Sequence, residues 1–295
     1  PVVLDARVSS DNPIIKEAEG LGIRILFGKC IGKGEGKRKV SAIGICSVNG
    51  EGTIEELIPC NAIAVSGGWT PNVNLWSHCG GKLLWDGECG FYKPDPENTP
   101  IGREGKTNML AFGACAGVFS NYDIQDQVPR KINQLASRLK IKSKRYIETN
   151  IFSKEPEQKT KPVFALPHGA SKDKQKRMYI DFQNDVKVSD LQLAVQEGFE
   201  NVEHAKRYTT LGMATDQGKT SNINGIHVLS QSLGKPVDKI GHTTFRPPYK
   251  PIPLGLIAGQ YAKKLFKPVR KTPIDKWNLL NNAIWEPVAD WRRAY

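Results

Sequence analysis

Residues 201–221 read NVEHAKRYTTLGMATDQGKTS, the densest gathering of anion-holding groups in the chain. Lys206, Arg207 and Lys219 bracket the hydroxyls of Tyr208, Thr209, Thr210 and Thr215, with Gly212 and Gly218 between them. Gly218-Lys219-Thr220-Ser221 then enters an apolar stretch of helical period, with Thr220 or Ser221 as the expected cap. Free N–H groups at a helix start, beside Lys and Thr, make a phosphate site. The same residues also read as a helix cap with a solvated lysine. A P-loop is excluded, because its first glycine would fall on Met213 and no strand leads into it.

A second set of residues points to a dinucleotide. Asp5 ends the apolar run Val2–Leu4, where dinucleotide folds place the acid that bonds a ribose hydroxyl. A solvated acid at a strand end is the other reading, and Arg7 beside it suits a 2′-phosphate or the surface. Gly67 and Gly68 follow the apolar run 62–66, and Gly113-Ala114-Cys115-Ala116-Gly117, with Phe119 beyond, follows Met109–Phe112. Glycines after strands let backbone approach a phosphate or a ring; two tight turns are the plainer alternative. In proteins resembling the flavin and pyridine-nucleotide disulfide reductases, a Gly-x-x-Pro-Asn turn precedes a Gly-Asp segment. Gly68-Trp69-Thr70-Pro71-Asn72 fits the first, but Ala114 stands in place of the Asp, which favours a nicotinamide dinucleotide over a flavin here. The histidines have no metal spacing. No residue is singled out as catalytic, and no metal site is expected.

These residues need elements to position them. Val2–Arg7, a helix opened by Asn12-Pro13 and closed by Gly20 or Gly22, and Ile23–Phe27 make a βαβ unit, its strands expected to be covered on both faces. Gly32–Arg38 reads as a turn. Val40–Val48 and Thr53–Ile58 read as a hairpin around Asn49-Gly50-Glu51-Gly52. Ala62–Ser66, Leu83–Trp85 and Met109–Gly113 are further expected strands, Pro71–His78 a short helix, and 92–106 a polar loop. Ile124–Leu139 reads as helix and 140–176 as a polar linker. Arg177–Phe182 is then a strand, followed by helices over 189–199 (capped by Ser189), 219–233 and 254–266.

With 295 residues, 39% hydrophobic and 24% charged, the composition is globular rather than disordered. No apolar run reaches the roughly 18 residues of a membrane span, and no signal peptide is expected from the first residues, Pro1-Val2-Val3-Leu4-Asp5. Six sparse cysteines exclude a disulfide scaffold and are read as reduced thiols in a cytoplasmic protein. The net charge is +12, concentrated after residue 150. That excess suits an anionic cofactor or an acidic partner subunit. Without a nucleic-acid-binding motif, nucleic acid is not expected.

One family fits most of the chain. Tyr179-Ile180-Asp181-Phe182-Gln183-Asn184-Asp185-Val186, the run Val202–Asn222 and Thr243-Thr244-Phe245-Arg246-Pro247-Pro248-Tyr249 closely resemble the α subunit of heterotetrameric sarcosine oxidase. Ala64–Asn72 fits its dinucleotide domain. Thr272-Pro273-Ile274-Asp275 through Trp291-Arg292-Arg293 resembles the start of its folate-binding, aminomethyltransferase-like domain. The resemblance implies an internal fragment of an enzyme subunit that converts sarcosine to glycine. FAD on the β subunit would oxidise the amine, and FMN at the α/β interface would pass electrons to oxygen, giving hydrogen peroxide. The one-carbon unit would leave as formaldehyde or pass to tetrahydrofolate in a downstream domain. NAD would bind the α subunit as a structural ligand, and β, γ and δ subunits would be partners. Under that resemblance Arg207, Thr210, Thr215, Gln217, Gly218, Lys219 and Thr220 form the α-side wall of the FMN pocket, and Asp5, Gly67, Gly68, Gly113, Ala114, Cys115, Gly117 and Phe119 serve the dinucleotide.

The expected fold is therefore α/β: a dinucleotide-binding (FAD/NAD-type) domain with an inserted β-hairpin over 1–140, a linker over 141–175, a small mostly helical domain over 176–266, and the start of the folate domain from 267. The competing functions are a sibling amine-oxidising complex, of the N-methylglutamate or opine dehydrogenase type, and a non-enzymatic basic binding module.

Overall fold

The computed structural model describes residues 1–103, 105, 109–141, 152, 162–261 and 267–295, in two compact units, Pro1–Tyr249 and Lys250–Tyr295. The fold is mixed α/β.

The first unit opens with the expected βαβ. Strands β1 (Val2–Asp5) and β2 (Arg24–Phe27) pair in parallel across helix α1 (Pro13–Gly20). Asn12 caps α1, its side chain accepting the Ile14 N–H at 3.0 Å, and Pro13 fills the first helical place. The double cover expected of these strands is absent: Val3 is 45% exposed.

Strands β3 (Lys29–Glu35), β4 (Ala42–Ser47) and β5 (Glu56–Pro59) form an antiparallel sheet in that order. The β4–β5 hairpin was expected, whereas β3 runs through glycines read as a turn. Backbone pairing needs no side chain, so Gly34 and Glu35 still meet Ile43 and Ala42, with a register shift between Ile31 and Lys33. Helix α2 (Asn74–His78) follows as expected. The antiparallel pair β6 (Leu83–Asp86) and β7 (Phe91–Pro94) comes next, and β7 corrects the start of the polar loop. Its Tyr92 is buried and packs edge-on against Trp85, so cross-strand aromatic packing overrides the polar composition around it. Lys106, at the end of that loop, lies outside the described residues.

Two expected strands do not form. Residues 61–70 are exposed along their whole length, and Met109–Phe112 has no ladder partner. An apolar run becomes a strand only where a neighbour offers its backbone and side chains cover the faces, and none does so among the described residues. Gly113–Ala116 instead makes a 3-10 turn before helix α3 (Asn121–Leu139).

Most of the expected linker (142–151 and 153–161) lies outside the described residues. Its later part is strapped to the β4–β5 turn. The His168 N–H donates to the Val48 carbonyl at 2.8 Å, and the Lys174 ammonium donates to the carbonyls of Glu51 and Gly52 at 2.8 and 2.6 Å. Helix α4 (Lys172–Gln175) carries that lysine. The short pair β8 (Tyr179–Asp181) and β9 (Val186–Lys187) leads into α5 (Val188–Gln196). The Lys187 N–H donates to Asp190 at 2.8 Å, so Asp190 supplies the cap expected of Ser189. Helix α6 (Val202–Thr209) has no counterpart among the expected elements. Helix α7 (Asn222–Leu233) starts three residues later than expected, and α8 (Val237–Ile240) follows. Leu191, Ala194, Val202, Ala205, Leu211, Ile226 and Leu229 close the core of these helices, each 1% exposed or less.

The second unit contains α9 (Leu254–Ala258), β10 (Arg270–Lys271), α10 (Asp275–Leu280), β11 (Trp285–Val288) and β12 (Trp291–Ala294), its sheet ordered β10-β12-β11. The expected 254–266 helix stops at Ala258, where Gly259 takes φ +55°, and residues 262–266 lie outside the described residues. Arg292 grips Asp275 with two bonds, of 2.7 and 2.6 Å, and Trp285 stacks over the guanidinium. Hydrogen bonding to Arg292 holds the Asp275 carboxyl below its usual value of 3.8. Because that pKa is lowered on folding, the pair stabilises above pH 3.8, and the contribution fades as the pH falls through the lower folded value. Arg292→Met should therefore destabilise this unit more at pH 7 than at pH 2, as read by tryptophan fluorescence.

Candidate functional site

The loop cluster around residues 210–222 is organised from below by Asp181. This carboxylate is 2% exposed. One oxygen accepts the N–H groups of Gln183 and Asn184 at 2.9 and 3.1 Å; the other accepts the Gly212 N–H at 2.8 Å and the Ser221 hydroxyl at 3.5 Å. The end of β8 thus holds both the turn after it and the start of α7. Ser221 stands at the N-cap of α7, one of the two expected places, but its hydroxyl goes to Asp181 rather than to the helix.

Asn222 fills the middle of the loop. Its amide donates to the Thr243 hydroxyl at 2.8 Å and the Gln217 carbonyl at 3.2 Å. Gly212 and Gly218 have φ of +64° and +73°, and a Cβ on either would sit 2.1 or 2.0 Å from the Asn222 Oδ1. Both the backbone and the close approach require glycine there.

The residues expected at the flavin wall lie on this frame. Lys219 does not stand free in solvent: its ammonium donates to the carbonyls of Asp216 and Tyr249 at 3.1 and 2.6 Å and lies 3.9 Å from the centre of the Tyr249 ring. Burial, then Asp216, raises the Tyr249 phenol above its usual value. The Gln217 amide donates to the Pro248 carbonyl at 2.7 Å. Thr220 donates to Asp216 at 3.1 Å, and the Gly218 N–H donates to the same carboxylate at 3.0 Å. Thr215 reaches Gln183 at 3.5 Å, and the Thr210 carbonyl accepts from Asn184 at 2.8 Å. Arg207 pairs with Glu203 at 2.9 Å on α6, and Glu203 accepts the Thr244 N–H at 2.7 Å. Burial raises the Glu203 pKa, but that bond and the cations Lys206 and Arg207 outweigh it and hold the carboxyl below its usual range. Residues 181–184, 210–222 and 243–249 are thereby joined into one polar surface. Its Lys219, Thr220 and Thr215 are exposed.

The expected dinucleotide residues are spread more widely. Asp5 is held by Arg7, whose Nε and Nη2 donate at 3.0 and 2.6 Å, and this bonding keeps the carboxyl below its usual value. Gly67 and Gly68 lie in the exposed 61–70 segment. Gly113 is buried against Ile124, Ala114 and Cys115 are exposed, and the Cys115 thiol donates to the Phe112 carbonyl. Gly117 lies against the Phe91 ring, which Phe119 meets edge-on at 5.8 Å. Neither glycine segment follows a strand, which corrects the expected placement at strand ends.

Asp181, Asn222, Thr243 and Tyr249 carry the site, yet none was singled out for a role from the sequence. An Asp at a strand end followed by Gln183-Asn184 is a signal for the first, since that pattern makes an Asx turn. Two adjoining cavities, of about 220 and 190 Å³, share Ala165, His168 and Gln231 between the strap and α7, away from this surface. Among the described residues, no cluster of His, Cys, Asp or Glu is suited to a metal, and no helix is long and apolar enough to cross a membrane.

This mixed α/β fold is shared with L-proline dehydrogenase from P. horikoshii, at a TM-score of 0.60 and 19% identity over 87% of this chain and 49% of that one. Residues 175–260, which contain the Asp181–Asn222 frame, match the sarcosine oxidase A3 domain. The chain is 33% identical over 261 residues to sarcosine oxidase subunit alpha of Rhizobium meliloti (strain 1021), covering 88% of this chain and 25% of that protein. It is 31% identical over 312 residues to the corresponding subunit of Corynebacterium sp. (strain P-1), covering 99% of this chain and 30% of that protein. The chain is thus a relative of the sarcosine oxidase α subunits along nearly its whole length, and it spans between a quarter and a third of the curated relatives it matches.

Proposed function

We propose that this chain is part of the α subunit of a heterotetrameric, cytoplasmic sarcosine oxidase, which demethylates sarcosine oxidatively to glycine with hydrogen peroxide and formaldehyde or 5,10-methylenetetrahydrofolate. The observation that supports this reading best is the Asp181–Asn222 frame, built from the residues of the sarcosine oxidase A3 match. In this reading 1–140 is the NAD-binding domain, 141–175 the linker, 176–266 the A3-type domain, and 267–295 the start of the folate domain. FAD sits in the β subunit, FMN between α and β, and γ and δ complete the assembly.

The residues present fit one side of a flavin phosphate site. Gly212 and Gly218 make room for Asn222, which fixes the loop, and Lys219 holds a fixed positive charge at the exposed rim. FMN supplies a two-electron carrier able to reduce oxygen. Lys219, with Thr215 and Thr220, offers donors to the phosphate or the ring edge. Gln217, fixed through Pro248, holds the loop, and Arg207 adds charge from α6. Asp5 and the glycines at 67, 68, 113 and 117, with Ala114, Cys115 and Phe119, are the residues proposed for NAD.

Purifying the native assembly from its own cells tests this reading. Flavin absorbance, co-purifying subunits and peroxide on adding sarcosine are expected. Flavin and partners with no response to sarcosine would favour a sibling amine-oxidising complex, and a colourless protein without partners would overturn the reading. Lys219→Ala should lower the FMN content of the purified assembly at least several-fold, or slow its reoxidation, while leaving the FAD content intact. Unchanged FMN and oxidase rate would remove Lys219 from the site.

A further inference from the structure

Cys30 and Cys46 are direct partners across β3 and β4, and their sulfur atoms lie 3.5 Å apart. Cys46 is fully buried and Cys30 is 7% exposed. With Val48 they form a small cluster of their own, on which Ala6 and Leu166 pack. Gly32 makes room for them, since a Cβ there would come within 2.7 Å of the Cys46 sulfur. We propose that Cys30 and Cys46 are a redox pair, which peroxide closes to a disulfide and a dithiol reductant reopens.

The geometry sets both the reactivity and the reversibility. Cross-strand partners hold their Cβ atoms about 4.5–5.5 Å apart, whereas a disulfide wants about 3.5–4.5 Å. Closing the bond therefore draws β3 toward β4, and the strain makes the bond easily reduced. Burial pushes the Cys30 thiol well above its usual pKa, so little thiolate is present and the reaction is slow. The register shift beside Ile31 is where β3 is most easily opened to an oxidant. Cys30, the less buried of the two, attacks one peroxide oxygen. The O–O bond breaks, one water leaves and a sulfenic acid remains. The Cys46 sulfur then attacks the sulfenic sulfur; the S–S bond forms, the S–O bond breaks, and a second water carries off the last proton. Two electrons pass from the two sulfurs to the peroxide.

The pair also lies next to the nucleotide candidates. Ala6 stands between Asp5 and Arg7, and the Arg7 carbonyl accepts the Gly28 N–H at 2.7 Å just before β3 begins. A shift of β3 is transmitted to that loop.

The test uses the protein in its native assembly, reduced, freed of reductant, exposed to hydrogen peroxide, alkylated under denaturing conditions and mapped by mass spectrometry without reduction. Peroxide is the product assigned to the complex above, but here it is added directly, so the two readings fail separately. The expected result is loss of both thiols from alkylation, recovery of the Cys30 and Cys46 peptides joined to each other, and their release by dithiothreitol. In Cys46→Ser the joined species should vanish. Full alkylation of Cys30 and Cys46 while the exposed Cys79 and Cys115 are oxidised would overturn the proposal, as would either cysteine joined elsewhere. The wild-type result decides even if the variant does not fold.

Discussion

Replacing Asp181 with alanine should cost about 3–5 kcal/mol of folding stability, a large share of the roughly 5–15 kcal/mol that holds a domain together. The carboxylate is acceptor to three backbone N–H groups and the Ser221 hydroxyl. Alanine leaves the buried Gly212 N–H with nothing to bond and releases the turn at 183–184 to water. Each unsatisfied buried donor costs about 1–3 kcal/mol, and the partly exposed ones cost less because water can replace the lost acceptor. Asp181→Asn keeps one acceptor oxygen and should lose about 1–2 kcal/mol. Urea unfolding of the three proteins, followed by circular dichroism, measures both differences. An alanine variant within 1 kcal/mol of the wild type would show that Asp181 does not organise the loop.

Gly218→Ala should be comparably severe, at about 3–5 kcal/mol, for a different reason. Holding alanine at φ +73° costs about 1–3 kcal/mol by itself. The new Cβ would lie 2.0 Å from Asn222 Oδ1, so that side chain must swing away and give up its bonds to Thr243 and Gln217. Two controls separate these effects. Gly212→Ala meets the same oxygen at 2.1 Å and should behave alike. Adding Asn222→Ala to Gly218→Ala should recover the part due to the clash, making the pair strongly non-additive. Simple addition of the two single losses would refute the contact with Asn222.

These residues also mark where reading the chain succeeds and where it stops. The Asn12-Pro13 cap, the β4–β5 hairpin and the helices over 121–139 and 188–196 rest on neighbours within a few residues, and the sequence pattern shows them. The glycines of β3 read as a turn because pairing with β4 is a backbone event that leaves no side-chain pattern. The runs at 62–66 and 109–112 fail the opposite way: their side chains are right for strands, but no described strand pairs with them. In the site, the Gly, Thr and Lys residues of 206–221 stand together in sequence and share one surface in the structure. What fixes them comes from Asp181 and from Thr243–Tyr249, about 30 residues to either side, and spacing within the motif carries no trace of those contacts. Lys219 shows the difference most plainly. Its place in Gly-Lys-Thr marks an exposed cation, and only the fold seats it against the Tyr249 ring.

The strap from His168 to Lys174 has a consequence for how the chain comes off the ribosome. Glu51 and Gly52, at the tip of the β4–β5 turn, have their carbonyls covered by a lysine 123 and 122 residues further along. At about 5–20 residues per second, synthesis reaches that lysine roughly 6–25 s after the turn emerges. Through that interval the turn must stand by itself, its carbonyls bonded to water and the Cys30–Cys46 cluster without Leu166 over it. A nascent chain halted before residue 168 should therefore expose this hairpin to proteases, and one released beyond residue 175 should shield it.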